Sequence, residues 1–276
     1  MVLIARTTLV LFAALTLAAA RSAAAVAIPP DAEHAKAALE KSPRHGEWVD
    51  VALPEGKKVV TWVVYPEKKE KVGVVIVIHE IFGLTDWVRS VADQLASEGF
   101  IAVAPDLLSG MGPNGGGTDS LGEDAGKVIR TLTPESVGAR LDAVRTYARA
   151  LPAANGKLGV VGFCWGGAAS FNYAATQPKL NAAVVFYGTS PADAAAYEKI
   201  SAPILGHYAG DDARVDATIP TAEDAMKRLG KRYTANVYEG AGHGFMRQQT
   251  GRDGANLKAA EKAWPATVAF FRDRLK

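Results

Sequence analysis

The sequence predicts an α/β fold: a mostly parallel, doubly wound sheet of about eight strands flanked by helices. Three observations carry this prediction. Short apolar, β-branched runs alternate with stretches of helical periodicity through most of the 276 residues. One run, Val72–His79, is apolar nearly throughout, the mark of a strand buried on both faces. A third run, Leu158-Gly-Val-Val-Gly-Phe-Cys-Trp-Gly-Gly-Ala-Ala-Ser170, leads from strand through a tight turn into a helix. The only cysteine of the chain, Cys164, sits at the apex of that turn.

Taken in order, the chain opens on Arg6, an apolar run from Leu9 to about Ala20, and small residues around Ala23–Ala27. This reads as a secretory signal peptide over residues 1–27, ending in an A-x-A site, and it places the mature protein in the periplasm or outside the cell. A membrane anchor is the competing reading, but the run is short and diluted by alanine for a span. No later segment offers about 18 uninterrupted apolar residues, so the mature form is not expected to be embedded in a membrane. The formal net charge is +2; removing Arg6 and Arg21 leaves it neutral, which argues against nucleic acid as a partner. A lone cysteine cannot form an internal disulfide and, in an exported chain, is flagged as a reactive thiol.

Residues 28–45 are polar and rich in Ala and Pro, and read as an N-terminal arm. Its histidines, His34 and His45, are surface residues without metal-ligand spacing. The folded domain is expected over 46–276, as one unit without repeats. Glu47–Leu53 and Lys58–Tyr65 alternate as strands around the Pro54-Glu55-Gly56 turn. After the Val72–His79 strand, Asp86–Glu98 shows an apolar stripe of Val88, Val91 and Leu95, closed by Gly99. Phe100–Ala104 is a buried strand ending at Pro105-Asp106.

Residues 107–133 break the alternation. Gly110–Gly117 is a glycine-rich loop. It is not read as a phosphate site, because no helix is expected directly after it and no Lys-Ser/Thr completes a P-loop. A short helix is expected at about Glu123–Arg130. Thr133-Pro134 then starts a long helix with proline at its first position and Val137, Leu141, Val144 and Ala148 inward. The strand Lys157–Phe163 and a helix to about Gln177 flank Cys164. Strands follow at Ala182–Tyr187, Ile204–Tyr208 and Tyr233–Tyr238, with helices at Ala192–Lys199, Asp216–Leu229 and 254–274, the last with a possible bend at Pro265.

The turn Gly162-Phe163-Cys164-Trp165-Gly166 has the Gly-x-nucleophile-x-Gly spacing of a nucleophile elbow, with cysteine in the place of serine. Residues without Cβ let strand and helix close on each other. The thiol projects at the positive end of a helix, where a thiolate is favoured. A buried structural cysteine is the plain alternative. A thiol nucleophile needs a base, and the base an orienting carboxylate. Two later loops supply them in that order: Gly210-Asp211-Asp212 after one strand, and Gly242-His243-Gly244 after the next. Either Asp211 or Asp212 is the acid. His207 is a rival base, but it lies within a predicted strand and is expected to pack.

These segments resemble the dienelactone hydrolase (carboxymethylenebutenolidase) family of the α/β-hydrolase superfamily. The similarity rests on Glu80-Ile-Phe-Gly83, Ala104-Pro-Asp-Leu107, Gly162–Gly167, Gly210-Asp-Asp-Ala-Arg-Val215 and Ala241-Gly-His-Gly-Phe-Met-Arg247, and spans roughly residues 58–275. The resemblance implies an α/β-hydrolase fold with Cys164, His243 and Asp212 as triad, which selects Asp212 over Asp211. It implies that Glu80 contacts the resting thiol and keeps it largely protonated. It implies an oxyanion hole from the N–H groups of Ile81 and Trp165. It further implies that Arg247 binds a substrate carboxylate, with Arg130 a candidate for a second arginine. The glycine-rich loop departs from the family pattern around Arg130.

The sequence therefore predicts a hydrolase of a small ester or lactone, anionic in character if the family pattern holds. It acts through a thioester and needs neither metal nor organic cofactor. A hydrolase of another small acyl compound is the alternative; a binding protein on a hydrolase scaffold would have no use for all three triad members.

Overall fold

The computed structural model describes residues 26–276, so nearly all of the apolar leader expected over residues 1–27 lies outside the described residues. The sheet has eight strands: β1 (Gly46–Ala52), β2 (Lys58–Val64), β3 (Val72–Ile78), β4 (Ile101–Pro105), β5 (Ala154–Phe163), β6 (Ala182–Phe186), β7 (Ile204–Ala209) and β8 (Tyr233–Tyr238). Their spatial order is β1-β2-β4-β3-β5-β6-β7-β8. The β1–β2 and β2–β4 pairs are antiparallel and the rest are parallel.

The central strands are apolar throughout because both of their faces are covered. Alternate residues of β3 serve two cores: Val74, Ile76 and Ile78 enter one, Val75 and Val77 the other. The first core is closed by α5 (Pro134–Ala150), α6 (Trp165–Thr176), α7 (Ala194–Lys199) and α9 (Ile219–Arg228). The second is closed by α2 (Asp86–Ser97) and α10 (Ala255–Arg274). The strand order reverses at β3, which has β4 on one side and β5 on the other. A crevice outside the carboxyl ends of the strands is expected at such a point. Glu80 follows β3 there, and Cys164 follows β5.

Three local features differ from the sequence expectation. The arm contains a short helix, α1 (Ala35–Glu40), with Ala35 buried. The arm is also tied to the far end of the chain: Ala32 N–H donates to the Arg247 carbonyl (3.0 Å) and the Gln249 side-chain amide to that of Pro29 (2.8 Å). Secondly, a helical turn does open directly on the glycine-rich loop. Residues 118–131 are a series of short turns, including α3 (Thr118–Leu121) and α4 (Ala125–Val128). Their anchor is Asp106, whose carboxylate accepts from the Thr118 N–H and hydroxyl, each at 2.8 Å. Periodicity does not reveal this long-range clamp. Thirdly, the helix expected over Asp216–Leu229 is divided into α8 (Ala213–Asp216) and α9, with Pro220 in the first turn of the latter. The Thr218 hydroxyl caps the break by donating to the Val215 carbonyl (2.7 Å).

Candidate active site

Cys164 sits between β5 and α6 at φ 56°, ψ −118°, a backbone conformation unfavourable for a residue with a side chain. Close packing enforces it. A Cβ on Gly162 would lie 1.8 Å from the Gly166 carbonyl oxygen, and one on Gly166 would lie 2.4 Å from that of His79. Only glycine at both positions lets α6 approach the strand ends so closely. The half-buried thiol faces the backbone N–H groups of Trp165 and Ile81, which come from different strand ends.

Helix position alone would favour a thiolate, but the surroundings of the thiol push the other way. Burial pushes the Cys164 thiol up, and the nearby Glu80 charge pushes it further. The two N–H groups and Arg214 oppose the shift without cancelling it.

Glu80 is only 2% exposed. Burial raises its pKa to about 7, although Arg247 pulls the other way. Arg247 Nε donates to Glu80 Oε2 at 2.7 Å, and its guanidinium lies 4.9 Å from the centre of the Phe82 ring. His79 holds this turn in place. Its Nε2 accepts from the Leu107 N–H (3.0 Å), which assigns the proton to Nδ1, 2.8 Å from the Glu80 carbonyl. Burial keeps His79 neutral, and its ring stacks on Trp165.

His243 Nδ1 lies 2.5 Å from Asp212 Oδ2. Asp211 points elsewhere, to an exposed ion pair with Arg252. His207 is fully buried, bonded to the Tyr238 and Thr267 hydroxyls, and pushed down to about 3 by desolvation. No hydrogen bond joins the Cys164 thiol to His243 among the described residues.

One pocket of 440 Å³ brings these groups together, with Glu80, Cys164, His243, Arg130, Arg214 and Arg247 in its walls. Ile81 and Trp165 also line it. Every site residue named from the sequence except Asp212 borders this space, and Asp212 reaches it through His243. Tyr187 and Arg214 are among the wall residues that were not anticipated. Tyr187, just after β6, has a positive φ of 39° and packs edge-on against His243 at 5.1 Å. Its buried hydroxyl faces Glu80 without a well-formed hydrogen bond. Arg214 stands two residues after Asp212, in the short helix α8 that Asp212 begins, and that adjacency was its one available signal.

A mixed sheet covered on both faces, with a strained cysteine elbow after β5 and an Asp–His pair after β7 and β8, defines an α/β-hydrolase. The dienelactone hydrolase family model matches residues 59–275, so the chain belongs to that family and is a hydrolase of its ester- and lactone-cleaving kind. A candidate carboxymethylenebutenolidase of Saccharolobus solfataricus is 31% identical over 251 residues, covering 79% of this chain and 95% of the relative. One from Escherichia coli is 33% identical over 212 residues, covering 72% of this chain and 76% of the relative. The crystal structure of a candidate dienelactone hydrolase from Klebsiella pneumoniae superposes with a TM-score of 0.71 at 26% identity, covering 83% of this chain and 99% of that one.

Proposed function

We propose that Cys164, His243 and Asp212 hydrolyse a small ester or lactone through a thioester. The observation that carries this reading is the 2.5 Å Asp212–His243 hydrogen bond at the wall of the pocket that also holds the Cys164 thiol. Asp212 fixes the histidine proton on Nδ1 and leaves Nε2 as the base. The thiol proton passes to Nε2 as sulfur attacks the carbonyl carbon. The carbonyl oxygen becomes an oxyanion facing the Ile81 and Trp165 N–H groups. When the C–O bond breaks, Nε2 returns the proton to the leaving oxygen. Water, deprotonated by the same nitrogen, then cleaves the thioester and releases acid and free thiol.

The Glu80–Arg247 pair supports a substrate-gated version of this chemistry. With Glu80 beside it the thiol is held protonated, a state that resists oxidation and stray acylation. A substrate carboxylate that takes the Arg247 guanidinium removes the counter-ion of Glu80. The disturbed glutamate then no longer restrains the thiol. The pocket volume of 440 Å³ suits a small molecule. Export to the periplasm or beyond is part of this reading, carried by the apolar run after Arg6; N-terminal sequencing of the mature protein tests it.

The decisive experiment compares wild type with Cys164→Ala on a carboxylated lactone and on short p-nitrophenyl esters. Loss of turnover with an unchanged circular dichroism spectrum is expected. Wild-type turnover in the folded variant would remove Cys164 from the mechanism. Mass spectrometry of the rapidly quenched wild type should show an acyl adduct on Cys164.

A further inference from the structure

Three guanidinium groups, from Arg130, Arg214 and Arg247, line the pocket, against one carboxylate among its wall residues, Glu80. Glu80 is already bonded to Arg247. Neither Arg130 nor Arg214 makes an ion pair or a side-chain hydrogen bond among the described residues. On the mechanism proposed above, a single substrate carboxylate would engage Arg247 and leave two cations uncompensated. Such a surplus in a cleft attracts and holds further negative charge.

The two unpaired arginines enter from different directions. Arg130 comes from the insertion after β4, and Arg214 from α8, the short helix after β7. In the sheet these strands lie on opposite sides of β5, which carries Cys164. Arg214 belongs to the His243 side, two residues beyond the carboxylate that orients that ring. The leaving oxygen must lie on this side, because His243 delivers its proton. The oxyanion side, at Ile81 and Trp165, is elsewhere.

We propose that Arg214 is a specificity-determining residue that binds a second anionic group, carried on the leaving-oxygen side of the scissile bond. The preferred substrate class is then an ester or lactone with two acidic groups, one met by Arg247 and one by Arg214. The guanidinium fork suits a carboxylate or a phosphate oxygen pair at that place. The charge of Arg214 also reaches Cys164, where it opposes the upward push of burial and Glu80. The proposal rests on the triad mechanism above, and its test separates the two.

The test uses acetate esters that differ only in the leaving phenol: 4-carboxyphenyl, 4-phosphonophenyl and the neutral 4-carbamoylphenyl. The ratio of kcat/KM for each anionic ester to that for the neutral one is the readout. Wild type should favour an anionic leaving group, and added salt should reduce the preference. Arg214→Gln should lower the ratio at least tenfold, and Arg214→Lys should restore part of it. The better anionic ester distinguishes carboxylate from phosphate chemistry. Equal loss on charged and neutral esters would mean that Arg214 only supports the Asp212 loop, and would overturn the proposal. So would a wild-type ratio of one or less. If wild type turns over none of the esters, the triad mechanism has failed by itself. Calorimetric binding of 4-hydroxybenzoate and 4-hydroxybenzamide to Cys164→Ala then still decides the subsite. Preference for the acid, lost on adding Arg214→Gln, supports it; no preference refutes it.

Discussion

Asp212 and His243 meet across 2.5 Å on one side of the Cys164 pocket, and Glu80 and Arg247 meet across 2.7 Å on another. Both are a carboxylate joined to a nitrogen base or cation, and both stand beside the pocket that holds the same thiol. They differ in what the carboxylate faces. In the proposed mechanism Asp212 acts on the thiol only through the imidazole that it orients. Glu80 is deeply buried and its field falls on the thiol directly, raising it. The comparison teaches that a carboxylate near a nucleophile can serve either state of it. A carboxylate behind a base favours proton removal, whereas a carboxylate beside the thiol favours retention.

The sharpest way to break this contrast is to neutralise each carboxylate in turn. Asp212→Asn and His243→Gln should each lower kcat by roughly 10³–10⁴-fold, since the base loses its tautomer or disappears. Steady-state kinetics on any ester that wild type accepts checks this. Little change for either variant would show that the Asp212–His243 bond is structural.

Glu80→Gln should act on a different observable. With the charge beside the thiol gone, the apparent pKa for alkylation of Cys164 by iodoacetamide should fall. Arg247→Met should move it the same way, because a buried glutamate without its counter-ion takes up a proton. An increase in either variant would mean that Glu80 supports the thiolate, and the two carboxylates would then act alike.

The smallest expected effect is on stability. The folded-state pKa of Glu80, about 7, lies above its ordinary value of 4.5. The proton that Glu80 retains favours the folded state below pH 4.5, and this advantage is lost as pH rises through 7. Relative to Glu80→Gln, wild type should lose at most about 3 kcal/mol over that window, read by urea denaturation at several pH values. A constant difference between the two proteins would place the Glu80 pKa near its ordinary value. The variant also removes a charged partner of Arg247, so the slope with pH is the test, not the offset.

Much of this arrangement was legible along the chain. β3 announced itself as a doubly buried strand by being apolar at successive positions. The elbow was visible in the glycines around Cys164, and the order of Asp212 and His243 in the loops after two later strands. The structure departed from the reading where distant residues act on each other. Asp106 clamps Thr118 and opens a helical turn where local pattern showed none. Asp211 and Asp212 are neighbours in sequence, yet one meets Arg252 and the other His243.

The sequence by itself determined the α/β architecture, the elbow and the candidate site residues other than Tyr187 and Arg214. Those features are written in local rules: side-chain period, glycine spacing and the order of loops. Only the tertiary structure decided the electrostatic state of the site. It buried Glu80 beside the thiol, paired it with Arg247 from 167 positions away, and left Arg130 and Arg214 in the same walls without ion-pair partners among the described residues. Burial and charge separation are properties of three-dimensional distance and solvent exclusion, and these decide whether Cys164 rests as a thiol or a thiolate.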